Sequence, residues 1–276
     1  MRAGSTPAIV LRTREFGESD KIVTVLSRAE GKFTGIAKGA KRSRRRFPGA
    51  LEIFSHVNLD YRQKNDTALC FLERAVIIQP WRRLLSSLEC YAAASHVVEI
   101  ADKMTADREV GDDIYALVVA GLARLEERPP LATTLRLFEL AVLTASGYRQ
   151  RFDLCFRCRT SVAEIEGTLR IPHAGAGLVC PRCAETEHGG PTISKSGAAA
   201  LFRLQAAVSE GLPGNAAPCD AAVIFDADAD LDALFSERTR AEVRLATATL
   251  LQPHVRGRLR VLELMGEPGR MRGPEA

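Results

Sequence analysis

Aromatic residues make up only 6% of the 276-residue chain, and Trp81 is its single tryptophan. A broad stacking surface built from many rings is therefore excluded. No stretch approaches 18 uninterrupted apolar residues, which argues against a membrane span. The segment Met1 to Pro7 lacks the apolar run and small-residue cleavage site of a secretory signal, so the expected location is cytoplasmic. Nucleotide-driven work finds no support, because Gly35 to Lys41 does not have the G-x4-G-K-[ST] spacing. A zinc deaminase needs H-x-E before P-C-x-x-C; here His173 is followed by Ala174-Gly175, and Pro181 follows Cys180. No Ser/His/Asp or Cys/His set can be argued from order or spacing. The expectation is a protein that is not an enzyme.

What is present is charge, unevenly placed. Residues 1–50 hold twelve Lys/Arg against four acids, a net of +8 in a chain whose total is +4. A basic head on a mildly acidic body points to an anion-binding task at one end.

The first 80 residues read as strands, rich in Ile, Val, Leu and Thr, with His56–Tyr61 alternating polar and apolar. Pro7–Arg14, Lys21–Ser27, Lys32–Ala37, His56–Tyr61 and Ala68–Ile78 make five, with a turn at Lys64-Asn65-Asp66. Five short strands suit a small closed barrel, either of the oligonucleotide-binding (OB) type or SH3-like, and periodicity does not separate the two. From Trp81 to Ala101 apolar residues recur three or four apart, the spacing of a helix. Further helices are expected from Asp112 or Asp113 up to Pro129-Pro130, from Leu131 to a stop at Gly147, from a cap at Ser194, and from Ser236 to about Leu264, divided at Pro253. The fold class is α+β multidomain: an OB-type barrel over 1–80, then a helical domain over 81–265 with a cysteine insert at 153–190. The Gly/Pro-rich tail, 266–276, is expected to be disordered.

Cys155-Phe-Arg-Cys158 and Cys180-Pro-Arg-Cys183 are two C-x2-C knuckles separated by 21 residues. Each knuckle turns two sulfurs toward one point, and two knuckles supply a tetrahedron of thiolates for one zinc ion. Four protein ligands leave no open position, so the zinc is structural. Gly167 to Pro172, with Thr168-Leu169-Arg170-Ile171, fits a hairpin between the knuckles. His173 and His188 lie close in sequence, but a full thiolate set needs neither. Cys70 and Cys90 read as small core residues, and nothing marks Cys219 as reactive. Asp226-Ala-Asp228-Ala-Asp230 mimics a calcium loop, but the required glycine is Leu231; an acidic helix start is the better reading.

Lys38-Gly-Ala-Lys41-Arg42-Ser-Arg44-Arg45-Arg46 carries six positive charges in nine residues without an acid. Phosphates attract such a run, and released counterions make the binding salt-sensitive. Gly39 and Ala40 would let backbone N–H groups approach a phosphate, and Ser43 would donate a hydrogen bond. Arg14 and Lys32 complete the expected DNA-binding set. Of Phe33, Phe47, Phe54, Tyr61 and Phe71, most belong in the core, so the barrel should grip the backbone with little sequence preference.

Several of these segments resemble the bacterial RecO recombination-repair family. They are Gly17-Glu18-Ser19-Asp20-Lys21 with the strand after it, Gly31-Lys32-Phe33, Ala37-Lys38-Gly39-Ala40-Lys41, and Leu135–Leu140 leading through Gly147-Tyr148 to Cys155. The last 80 residues match only in helical character. The resemblance implies an OB barrel followed by a helical domain with the zinc element. It also implies binding of single- and double-stranded DNA, annealing of complementary strands, and action with RecR to help RecA replace single-strand-binding protein. That protein's acidic, apolar-ended tail would dock on the helical domain, with Arg136, Arg149 and Arg151 as candidates for its carboxylates. The alternative is a zinc-ribbon RNA-binding or transcription-related protein.

Overall fold

Segments rich in Val, Ile, Leu and Thr build five strands: β1 (Arg2–Phe16), β2 (Asp20–Ser27), β3 (Gly31–Ala37), β4 (His56–Gln63) and β5 (Cys70–Gln79). Of these, β4 alternates buried and open positions, and β1 to β3 carry continuous buried runs. They close into a barrel in the order β1-β2-β3-β5-β4, with β4 returning to β1. Every pair is antiparallel except the closing one, where Gly35 and Ile36 of β3 run parallel to Cys70 and Phe71 of β5. This order is the OB arrangement, which decides between the two barrels left open by periodicity. Gly35 is required at the seam, since a Cβ there would lie 2.5 Å from Leu72. β1 extends further toward the N-terminus than alternation suggests, because Arg2–Ile9 pairs along β4 while Ala8–Phe16 pairs along β2. The structure is a computed structural model, and it describes residues 2–63, 69–109, 111–127, 132–173, 177–185, 189–212 and 219–259. The expected turn at 64–66, the stop at Pro129-Pro130, His188 and the tail 266–276 lie outside the described residues.

The interior of the barrel is filled by Val10, Val23, Val25, Phe33, Leu59 and Tyr61, among others. The stretch between β3 and β4 belongs to the same core, because Ala40, Phe47, Ala50 and Leu51 are buried in it. The single helix expected from Trp81 is two, α1 (Arg82–Ser86) and α2 (Leu88–Met104). The break falls at Ser87, whose hydroxyl accepts from the Cys90 N–H and so caps α2. Trp81 anchors the junction, its indole N–H donating to the Phe54 carbonyl at 2.9 Å. α2 packs on β1.

The later helices are α3 (Asp112–Glu127), α4 (Ala132–Ala145), α5 (Pro181–Ala184), α6 (Lys195–Gly211), α7 (Ala221–Asp226), α8 (Asp228–Leu234) and α9 (Glu237–Leu251). α4 is buried on all sides from Thr133 to Leu143, as a helix apolar around its circumference must be. It packs against α6, α8 and α9. Ser194 and Ser236 cap α6 and α9 through their hydroxyls. α9 stops before Pro253. Of the described residues, one compact unit takes 2–109, 125–127 and 256–259, and the other takes 111–124 and 132–255.

Candidate nucleic-acid interface and four-cysteine centre

The basic segment leaves β3 at Lys38 and is pinned at its root. Gly39, at φ 65°, donates its N–H to the Asp20 carboxylate at 2.8 Å, and the Lys41 N–H donates to the Ser19 carbonyl at 2.9 Å. A single 3-10 turn follows, Ala40–Arg42. The Ser43 hydroxyl accepts from the Arg46 N–H, and the Arg46 guanidinium reaches back to the Lys38 carbonyl at 2.5 Å. Beyond Arg46 the chain re-enters the core through Phe47. The expectation that Gly39 offers its N–H to a phosphate is therefore corrected, because Asp20 already holds it; the Ser43 hydroxyl accepts from Arg46 and keeps its O–H to donate.

All six cations are exposed, but they are not equivalent. Lys41 pairs with Glu15 at 2.7 Å, and Lys38 lies over the Phe71 ring at 5.3 Å. Arg42, Arg44 and Arg45 have no acid within ion-pair distance among the described residues, and neither has exposed Arg14. Lys32 is placed differently: it is 5% exposed, with its ammonium on the Asp102 carbonyl at 2.5 Å and near the Asp102 carboxylate at 3.4 Å. It fastens α2 to the barrel and does not face solvent.

Of the rings considered, Phe33, Phe47, Phe54 and Tyr61 are buried. Phe16 stands 51% exposed where β1 ends opposite Asp20, beside the root of the loop. Sequence reasoning missed it. Its signal was position: the polar run Arg14-Glu15-Phe16-Gly17 lies outside the apolar alternation.

The four sulfurs of Cys155, Cys158, Cys180 and Cys183 lie within 4.8 Å of one another, with Cys158 and Cys180 at 3.8 Å. A tetrahedron of sulfurs at ~2.3 Å from zinc has edges of ~3.8 Å, so the donor set fits that ion. The first knuckle turns through Arg159, at φ 64°, whose N–H donates to the Cys155 carbonyl. The second begins α5, where Cys180 is the cap, Pro181 the first residue, and the Cys183 N–H donates to the Cys180 sulfur. The Cys180 N–H donates to the Cys155 sulfur at 3.4 Å. Backbone N–H groups aimed at sulfur favour thiolate, the form a metal needs. The sulfurs themselves titrate apart: hydrogen bonds from Thr160 bring Cys158 down to about 6, while hydrogen bonding with Cys180 pushes Cys183 up to about 12. The expected hairpin is different in kind. β6 (Leu169–Arg170) pairs with β7 (Thr192–Ile193), beyond the second knuckle, and Arg170 also bridges to Val179. His173 is exposed and outside the sulfur cluster.

Cys70 and Cys90 are buried, as small core residues are. Burial, with Asp113 and Asp220 nearby, pushes the Cys219 thiol up to about 11, which suits an unreactive side chain.

Arg149 and Arg151 line a groove of about 740 Å³ with Phe202 and Gln205. The Arg149 guanidinium donates to the Ser209 hydroxyl at 2.9 Å, whereas Arg151 is paired with Asp153 at 2.7 Å. Phe202 is 50% exposed there. Arg136 is not in this groove. It is buried in α4 and donates to Glu139 at 2.6 Å; burial lowers its pKa and the Glu139 carboxylate opposes that shift.

Residues 1–81 match the family described as Recombination protein O N terminal, and residues 85–215 match Recombination protein O C terminal. A protein of Anaeromyxobacter sp. (strain Fw109-5) named DNA repair protein RecO is 33% identical over 266 residues, covering 96% of each chain. The chain belongs to the RecO family. Other RecO relatives agree. The Frankia casuarinae protein is 33% identical over 92% of this chain and 94% of its own, and the Myxococcus xanthus protein 32% identical over 75% and 83%. RecO proteins act in recombinational DNA repair as mediators and not as enzymes. Among the described residues, no helix is long and apolar enough to cross a membrane.

Proposed function

We propose that this chain binds single- and double-stranded DNA through the loop 38–46, anneals complementary strands, and with RecR helps RecA replace single-strand-binding protein. The observation that carries the proposal is the trio Arg42, Arg44 and Arg45, free of acidic partners among the described residues and displayed on a pinned loop of an OB barrel. Annealing is opposed by phosphate repulsion. A loop that neutralises phosphates on both strands lowers that barrier and releases counterions. Lys38, Lys41, Arg46 and Arg14 surround the trio, while buried Lys32 positions α2.

One zinc ion held by Cys155, Cys158, Cys180 and Cys183 would fix the knuckles and leave no ligand position for substrate. In the groove beside α6, Arg149 suits the carboxylates of the single-strand-binding protein's tail, and Phe202 suits its apolar end. Arg151 would have to exchange Asp153 for that tail, and Arg136 is left out because it is buried.

The test is annealing of DNA coated with single-strand-binding protein, with and without that protein's tail. Activity that depends on the tail is expected. Changing Arg42, Arg44 and Arg45 together to alanine should reduce the slope of log affinity against log salt for a single strand by ~2, at ~0.7 for each phosphate left without its cation. An unchanged slope, or a preference for RNA without DNA annealing, would sink the proposal.

A further inference from the structure

The basic loop occupies only one end of the charged surface of the barrel unit. Three grooves along the barrel wall share lining residues in turn. The first lies beside the loop, between Lys41, Arg44 and Glu52. The second carries Arg12, Arg14 and Tyr91, and Glu52 lines both. Arg12 and Ile53 are shared in turn with the third, which opens between α2 and residues 256–258.

The far groove is built and basic. Arg256 and Arg258 are exposed on either side of Gly257, which turns at φ 82°. Leu259 is 4% exposed and roots the segment, and the Lys103 ammonium donates to the Arg258 carbonyl. The two acids of this groove are already engaged, Asp102 by Arg12 at 2.9 Å and Glu99 by Lys103 at 2.7 Å. Arg256 has no ion-pair partner among the described residues. The Arg12 guanidinium is 66% exposed, so a phosphate exchanges into its pair with Asp102 at small cost, while the mostly buried Lys103 keeps Glu99 and adds its charge to the lining.

We propose that the groove at Arg12, Lys103, Arg256 and Arg258 is a second phosphate site, reached by one DNA strand that runs from the loop across Arg14 and Arg12. This rests on the reading of the loop as a DNA contact. The occupant is a single strand, because Tyr91, 41% exposed in the middle groove, offers a ring on which a base can stack, and Phe16 stands exposed at the end of β1 beside the loop root, outside the three grooves. Bases stacked inside a duplex would offer those rings nothing.

Oligothymidines of about 4 and about 16 nucleotides, the span of site sizes for one OB fold, separate the two ends of the path. With the full chain, Arg256→Ala/Arg258→Ala is expected to lower the salt slope on the long strand by ~1.4 and leave the short strand, held at the loop, unchanged. Arg256→Lys/Arg258→Lys should restore the slope, since a phosphate needs only the charge. The triple loop variant should lower the slope on both lengths. An unaltered long-strand slope in the alanine pair, alongside a working loop effect, overturns this inference. So does an equal fall on both lengths, which would mean a diffuse field and not a path. If the loop variant changes neither slope, the loop reading itself fails.

Discussion

Asp20 decides how the basic loop presents its charge. Its carboxylate accepts from the Gly39 N–H and from the Ser19 hydroxyl, and the Gly39 hydrogen bond holds its pKa below the ordinary 3.8. A depressed carboxylate favours the folded arrangement above that ordinary value and loses the contribution as pH falls through its folded value. The Gly39 amide should therefore exchange faster, relative to its intrinsic rate, in acid than at neutral pH. Asp20→Ala should remove the protection at every pH, with the global unfolding midpoint nearly unchanged. Persistent protection in that variant would show that the loop is held elsewhere. Gly39→Ala tests the other half of the anchor. At φ 65° an alanine is strained by ~1–2 kcal/mol, and its Cβ would meet the Arg46 guanidinium at 3.3 Å.

At the level of elements, α3, α4 and α8 are joined by a buried charge. Asp228 is 0% exposed; Arg124 of α3 donates to both its carboxylate oxygens, at 2.5 and 3.0 Å, and Thr134 of α4 donates at 2.6 Å. The acidic repeat around it is thus only partly a helix start. Asp230 sits in the first turn of α8, but Asp228 points into the protein. Asp228→Ala would leave the Arg124 guanidinium buried without its counter-charge, which costs ~3–5 kcal/mol. Urea denaturation measures this, with Asp230→Ala as the surface control. A loss no larger than the control's would mean that water reaches Arg124. The sequence could not have paired these residues, because 104 positions separate them and only the packing of three helices brings them together.

Across the whole molecule, legibility followed how local the physics was. The strands, the Ser194 cap of α6 and both cysteine knuckles are written in spacings of two to four residues, and the structure has them in place. Contacts that join distant segments were not legible: the Lys32–Asp102 tie and the pairing of β6 with β7. The four-cysteine cluster and the basic loop fall in different compact units, and under the proposed roles this predicts independent failure. Cys180→Ser should lower the zinc content of the purified protein, leave fewer than four sulfurs at ~2.3 Å around any zinc retained, as X-ray absorption reports, and lower the thermal midpoint. It should leave the salt slope for DNA unchanged. The triple arginine variant should do the reverse, flattening the slope while keeping the metal and the midpoint. Sites without shared partners contribute additively, so a variant carrying both changes should show the two losses side by side. A salt slope that falls with Cys180→Ser alone would place the cysteine element in the DNA contact and overturn the division of labour argued from the two units.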